Sequence, residues 1–127
     1  MDLLSLTLED LVRPKEHPKS GKKIMKQVGE YLEEHYTEKF SLEELSEKFF
    51  LSKYHLVREF KKYYGITPNQ YVISKRIILA KKLLRFSRDT LEDISLKCGF
   101  YDASYFNKQF KKSEGISASD FRKKWVN

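Results

Sequence analysis

Arg58 and Lys108 stand fifty positions apart in a segment that the chain spells nearly twice. Both can donate hydrogen bonds to guanine O6 and N7, and their neighbours suit the same chemistry of recognition. Asn107 can pair with adenine, and Val57 or Ala103 can meet a thymine methyl. Tyr54 can reach base edges or a phosphate, and Ser104 shares the outer face of Asn107 and Lys108. Lys61, Lys62, Lys111 and Lys112 follow about one turn later, where phosphates are the natural partners, and Lys53 is assigned with them. A basic face on one helix is ordinarily solvated surface. Recurrence of the face in register, with the same flanking core and turn residues, points to use.

The repeat itself is explicit. Phe40-Ser41-Leu42-Glu43-Glu44-Leu45-Ser46 returns as Asp89-Thr90-Leu91-Glu92-Asp93-Ile94-Ser95, and Phe60-Lys61-Lys62 with Gly65-Ile66-Thr67 returns as Phe110-Lys111-Lys112 with Gly115-Ile116-Ser117. The offset is 49 before the inner turn and 50 after it, so the second copy carries one extra residue. A unit this short holds little independent core, so the copies are expected to share one body and present one surface twice. Duplex DNA is a ligand that repeats in the same way.

The elements that must position these residues are helical. From Lys22 the apolar spacing is that of helices, and no segment shows a period of two, so the fold is all-α. Ile24, Val28, Tyr31, Leu32 and Tyr36 form the stripe of a first helix. Ser41 with Glu44 reads as a capping box for a short second helix, with Leu42, Leu45 and Phe49 inward. Ser52 caps a third, with Leu56, Phe60 and Tyr63 inward, and Gly65 ends it. Thr67 and Pro68 open a fourth helix that runs to about Phe86, its stripe including Tyr71, Ile77, Ile78, Leu83 and Leu84. Thr90 with Asp93, Asp102 and Ser117 open three more. In each copy a short helix, a tight turn and a second helix follow one another, the arrangement that projects the second helix into a major groove. The turns are Phe49-Phe50-Leu51-Ser52 and Cys98-Gly99-Phe100-Tyr101-Asp102. Gly99 suits a positive φ, whereas Phe50 at the matching position either bends differently or bears a cost. The fourth helix, roughly 28 Å at about 1.5 Å per residue, suits a strut between grooves roughly 34 Å apart.

Composition agrees. The 127 residues carry a net charge of +7, with 40% hydrophobic and 34% charged side chains. Residues 1–20 sum to −1, so the remainder carries +8, a balance that favours a polyanionic partner. Residues 1–21 read as a leader and linker, with Thr7 and Asp10 as a helix cap; the apolar scrap before Arg13-Pro14 favours the tail of a further N-terminal domain, and the starting methionine suits the alternative of a DNA-binding domain standing alone. No signal peptide or membrane-spanning run is present, and a cytoplasmic location follows as the default. Cys98 stands alone, so neither a disulfide framework nor a thiolate metal cluster is expected, and it is read as buried and inert. Trp125 is expected to close the core at the C-terminus.

The stretch from Phe40 to Trp125 resembles the DNA-binding domain of the AraC/XylS family of bacterial transcription regulators. The resemblance rests on Ser41 to Ser46, Ser52 to Lys61, Gly65-Ile66-Thr67-Pro68-Asn69-Gln70-Tyr71, and Arg76, Ala80 and Leu83-Leu84. Its most specific part is the run from Ile94 to Lys112, followed by Gly115 to Arg122. It implies seven helices, arranged as two helix-turn-helix subdomains joined by the long central helix, over residues 22–127. It implies promoter binding in adjacent major grooves, usually with activation through contact with RNA polymerase. By the match, base-reading positions are Tyr54, Val57 and Arg58 in the first unit and Ala103, Ser104, Asn107 and Lys108 in the second, and His55 is a phosphate-contacting or packing residue. The departures are Phe50, where glycine is usual, Ala103, where proline or a polar residue is frequent, and Val57, where a hydrogen-bonding side chain is common. The isolated domain is expected to be a monomer, with dimerisation reserved for a missing N-terminal domain.

Two rival classes are weighed against this. An enzyme is disfavoured: His17, His35 and His55 lack metal-ligand spacing with one another or with Cys98, there is no phosphate-cradling glycine loop, and no cofactor is expected. A helical protein-interaction module without direct DNA readout is the closer rival. Tyr31, Tyr36, Phe49, Phe50, Tyr63, Tyr64 and Trp125 could line its groove, but they are better explained as core.

Overall fold

Six of the helix starts are written in short polar side chains. The computed structural model describes residues 17–125, with side chains from Gly21 onward. Its helices are α1 (His17–His35), α2 (Leu42–Lys48), α3 (Lys53–Tyr64), α4 (Pro68–Phe86), α5 (Leu91–Cys98), α6 (Ala103–Glu114) and α7 (Ala118–Trp125), and no strand occurs among the described residues. Each of α2–α7 opens on a side-chain oxygen that accepts a free N–H of the first turn, satisfying a group the helix cannot. Ser41 Oγ takes Glu44 N at 3.2 Å, Ser52 Oγ takes His55 N at 3.1 Å, and Thr90 Oγ1 takes Asp93 N at 3.1 Å. Asp102 takes Ser104 N at 2.9 Å, and Ser117 Oγ takes Asp120 N at 3.0 Å. Thr67 with Gln70 closes both halves of a capping box. At Ser41 the hydroxyl half is formed, not the reciprocal bond from Glu44 that the sequence pattern suggested.

The first helix starts earlier than its composition implied. His17 to Gly21, read as the end of a linker, is already helical. Pro18 lies in the first turn, where its missing N–H removes no helical hydrogen bond. The remaining leader, with the expected Thr7–Asp10 cap, lies outside the described residues.

Two apolar clusters form, one in each half of the chain. The first holds Met25, Val28, Leu32, Leu45, Leu56, Phe60 and Val72; the second holds Ile77, Ala80, Leu84, Ile94, Cys98, Phe100, Phe106, Phe110 and Ala118. Helix α4 serves both, giving Val72 to the first and Ile77, Ala80 and Leu84 to the second. It packs against α1 and α3 in one half and α5, α6 and α7 in the other. Steps of four along α4 (Val72, Arg76, Ala80, Leu84) define the buried stripe, and Ile78 falls off it and is exposed. On α3 the same step runs Leu56, Phe60, Tyr64, so Tyr64 packs on Phe60 at 4.4 Å while Tyr63 turns outward. Tyr64 also donates to the Met25 carbonyl at 3.1 Å. A Cβ on Gly29 would collide with the Tyr64 hydroxyl, so any larger residue there would have to displace the Tyr64 ring. Trp125 does not close the core. It is half exposed, with the Arg85 guanidinium 3.9 Å from its ring centroid.

The two inner turns share one hydrogen-bond pattern. Leu51 N donates to Ser46 O at 2.9 Å and Phe100 N to Ser95 O at 3.0 Å, the long bond of a Schellman motif in each. The motif demands a left-handed residue, and Gly99 (φ 100°) and Phe50 (φ 58°) both supply it. Phe50 therefore bears the steric cost rather than bending the turn differently. Its side chain is 93% exposed, so burial returns nothing. Phe50→Gly is expected to stabilise the domain by about 1 kcal/mol, the left-handed penalty less the extra entropy of glycine. A thermal melt should show Tm rise by about 4 °C; a fall would show that the ring has a structural partner.

Candidate nucleic-acid interface

Helices α3 and α6 are built alike from cap to cap. Each has 12 residues, no acidic residue in its first turn, and a pair of lysines in its last, Lys61 and Lys62 or Lys111 and Lys112. Each ends on a left-handed glycine, Gly65 (φ 84°) or Gly115 (φ 83°), whose N–H reaches Lys61 O or Lys111 O at 2.8 Å. Two fully buried anchors four residues apart, Leu56 with Phe60 and Phe106 with Phe110, fix the roll of each helix about its axis. The roll then dictates what faces solvent.

Tyr54 is 74% exposed, and Arg58, Ser104, Asn107 and Lys108 are exposed with it. Lys53, His55, Lys61, Lys62, Lys111 and Lys112 are exposed too. Val57 and Ala103 sit half-buried at the edge of the face, so each offers only part of an already short apolar side chain. Thus eleven of the thirteen candidate residues lie open to solvent, and the other two border them.

Several of these side chains have partners of their own. The Arg58 guanidinium lies 5.2 Å from the Tyr54 ring centroid, with Nε 3.3 Å from Glu59 Oε2 and Nη2 3.4 Å from His55 Nδ1. This gathers Tyr54, His55, Arg58 and Glu59 into one cluster on α3. Lys53 Nζ stands 3.7 Å from Glu43 Oε2 on α2, and Lys62 Nζ 3.9 Å from Glu59 Oε2. Such exposed pairs are each worth well under about 1 kcal/mol, so a polyanion can displace them cheaply. The aromatic residues of the rival groove separate in the structure. Tyr31, Tyr36, Phe49 and Tyr64 pack on the first core, whereas Phe50, Tyr63 and Trp125 are exposed on different elements.

Two arginines support the interface without belonging to it. Arg76, 7% exposed, donates from Nε to Tyr36 O at 2.6 Å and from Nη2 to Glu38 O at 2.8 Å. Its burial lowers its pKa from the ordinary arginine value. Arg122 donates to Leu84 O at 3.2 Å, Ser87 O at 3.2 Å and Asp89 O at 2.7 Å. Each arginine thus holds the loop that leads into the first helix of a unit, Arg76 before α2 and Arg122 before α5. The sequence carried a signal for Arg76: it falls on the stripe of four-residue steps between Val72 and Ala80, where a charge must find partners. Cys98 is fully buried, and desolvation pushes its pKa up to about 12, as suits an inert thiol.

A pair of like helix-turn-helix units on one spine defines a class, the double helix-turn-helix DNA-binding fold. Comparison with known proteins agrees. Residues 45–124 match the family model described as a helix-turn-helix domain. The transcriptional activator RhaS of Citrobacter koseri is 36% identical over 98 residues, covering 77% of this chain and 35% of that protein. The probable transcriptional regulator LumQ of Photobacterium leiognathi is 36% identical over 95 residues, covering 75% of this chain and 38% of that one. The C-terminal domain of the two-component response regulator yesN from Fusobacterium nucleatum superposes with a TM-score of 0.73 at 37% identity, covering 76% of this chain and 95% of that one. The DNA-binding domain of the global transcriptional factor AdpA, solved in complex with a target DNA, gives a TM-score of 0.75 at 26% identity, covering 80% and 91%. The chain belongs to the AraC-type helix-turn-helix family. It spans about a third of the length of the curated relatives it matches. Among the described residues no helix is long and apolar enough to cross a membrane.

Proposed function

We propose that this chain binds promoter DNA through α3 and α6, set into adjacent major grooves along one side of the duplex, and thereby regulates bacterial transcription as an activator. The observation that carries the reading is the pair of helices matched in length, cap, anchor spacing and basic last turn, mounted on the 19-residue α4. In this reading Tyr54, Val57, Arg58, Ala103, Ser104, Asn107 and Lys108 face bases. Lys53, His55, Lys61, Lys62, Lys111 and Lys112 meet phosphates. The domain binds as a monomer, works in the cytoplasm, contacts RNA polymerase when activating, and performs no catalysis. An N-terminal domain, where one is joined to the leader, supplies any dimerisation.

Selection of bound sequences from a random duplex pool tests this directly. Two short motifs centred about one helical turn apart are expected. A single motif, or none, overturns the two-groove arrangement. Arg58→Ala and Lys108→Ala should each cost about 1–3 kcal/mol on the selected site and relax the choice of one base. Equal losses on random DNA would make them phosphate contacts instead. Steep weakening with rising salt separates this function from a hydrophobic partner-binding module, which would show little slope.

A further inference from the structure

The second copy exceeds the first by one residue in its inner turn, and Tyr101 occupies that extra place. It adopts a left-handed conformation (φ 60°) and its hydroxyl donates to the Thr37 carbonyl at 3.2 Å, 64 residues away. The carbonyls on either side of Thr37 are also taken, Tyr36 O and Glu38 O by Arg76. The Arg76 guanidinium lies 5.6 Å from the Phe100 ring centroid, and the Thr37 backbone comes so close to Gly99 that a Cβ there would stand 2.7 Å from Thr37 O. Residues 36–38 of the first half are therefore clamped against residues 99–101 of the second. Both sides of this seam lead directly to recognition helices. Asp102, next to Tyr101, caps α6. Residues 36–38 run into Ser41, the cap of α2, which packs on α3.

We propose that this seam, with Tyr101 and Arg76 as its positioning residues, sets the relative placement of α3 and α6 and so the spacing of DNA half-sites the domain accepts, an inference that rests on the two-groove reading above. A helix such as α4 can bend and twist under load. The seam adds a second connection beside α4, and two connections fix an orientation that one leaves free.

The test compares duplexes with the selected spacing, duplexes with one base pair inserted between the half-sites, and isolated half-sites. The parent chain should prefer the selected spacing by about tenfold or more. Tyr101→Gly removes the tether at a φ that glycine favours, so the fold is retained. This variant should narrow the preference to about threefold or less while its affinity for each half-site stays within about twofold of the parent. Arg76→Lys, which cannot span two carbonyls, should act in the same direction; if burial makes it unfold, Tyr101→Gly decides alone. An unchanged spacing preference in folded Tyr101→Gly overturns the seam and leaves the two-groove reading standing. A parent chain that binds half-sites without regard to spacing overturns the two-groove reading, and the seam's role with it.

Discussion

Replacing Lys61, Lys62, Lys111 and Lys112 together with alanine should flatten the salt dependence of DNA binding by about three to four units of log–log slope. Each phosphate contact releases close to one counterion, so four lost contacts remove nearly four from the exponent. Near 0.1 M salt this corresponds to a loss of affinity on the order of a thousandfold. The effect should fall alike on selected and random duplexes, because phosphates carry no sequence information. The fold should not suffer. All four side chains are exposed, and only backbone carbonyls of Lys61 and Lys111 hold the helix-ending glycines. Alanine also has a better helix propensity than lysine. Titrations at several salt concentrations provide the measurement. A slope that stayed unchanged would place the duplex somewhere other than on α3 and α6.

Phe110→Ala should cost about 3–5 kcal/mol of stability. Phe110 is fully buried, with its ring centroid 5.8 Å from that of Phe106 and 5.4 Å from that of Phe121. The loss is a large share of the roughly 5–15 kcal/mol available to a typical domain. Its distribution tests the two-cluster architecture. Hydrogen exchange should accelerate chiefly in α5–α7, with α1–α3 better protected, because Phe110 belongs to the second cluster. Phe60→Ala should produce the mirror result, since Phe60 belongs to the first. Equal acceleration throughout by either substitution would mean that α4 welds the halves into a single cooperative unit.

Much of the candidate face, in the sense of which side chains α3 and α6 turn outward, was legible in the chain because it is governed by local rules. Helix period placed Leu56, Phe60, Phe106 and Phe110 inward, and that placement alone turns Tyr54, Arg58, Asn107 and Lys108 outward. Short polar residues marked the helix starts, since a cap needs only a side chain and an N–H two or three positions away. The same rules misled where two neighbours competed for one face. Tyr63 and Tyr64 both follow Phe60 at helical distance, and it is Tyr64, on the step of four and met by Gly29, Met25 and Tyr71, that turns inward. His17 to Gly21 has the proline and glycine of a linker but is helical, because proline is tolerated in a first turn.

By itself the sequence determined seven helices, the caps of six of them, their duplication, and which side chains α3 and α6 turn outward, because caps and periodicity act over a few residues of chain. The division into two clusters, the left-handed Phe50, and the clamp of Arg76 and Tyr101 on residues 36–38 were decided only in three dimensions. These features join groups as far as 64 positions apart. Such contacts leave no periodic trace, for they depend on how whole helices lie against one another once their apolar faces have been removed from water.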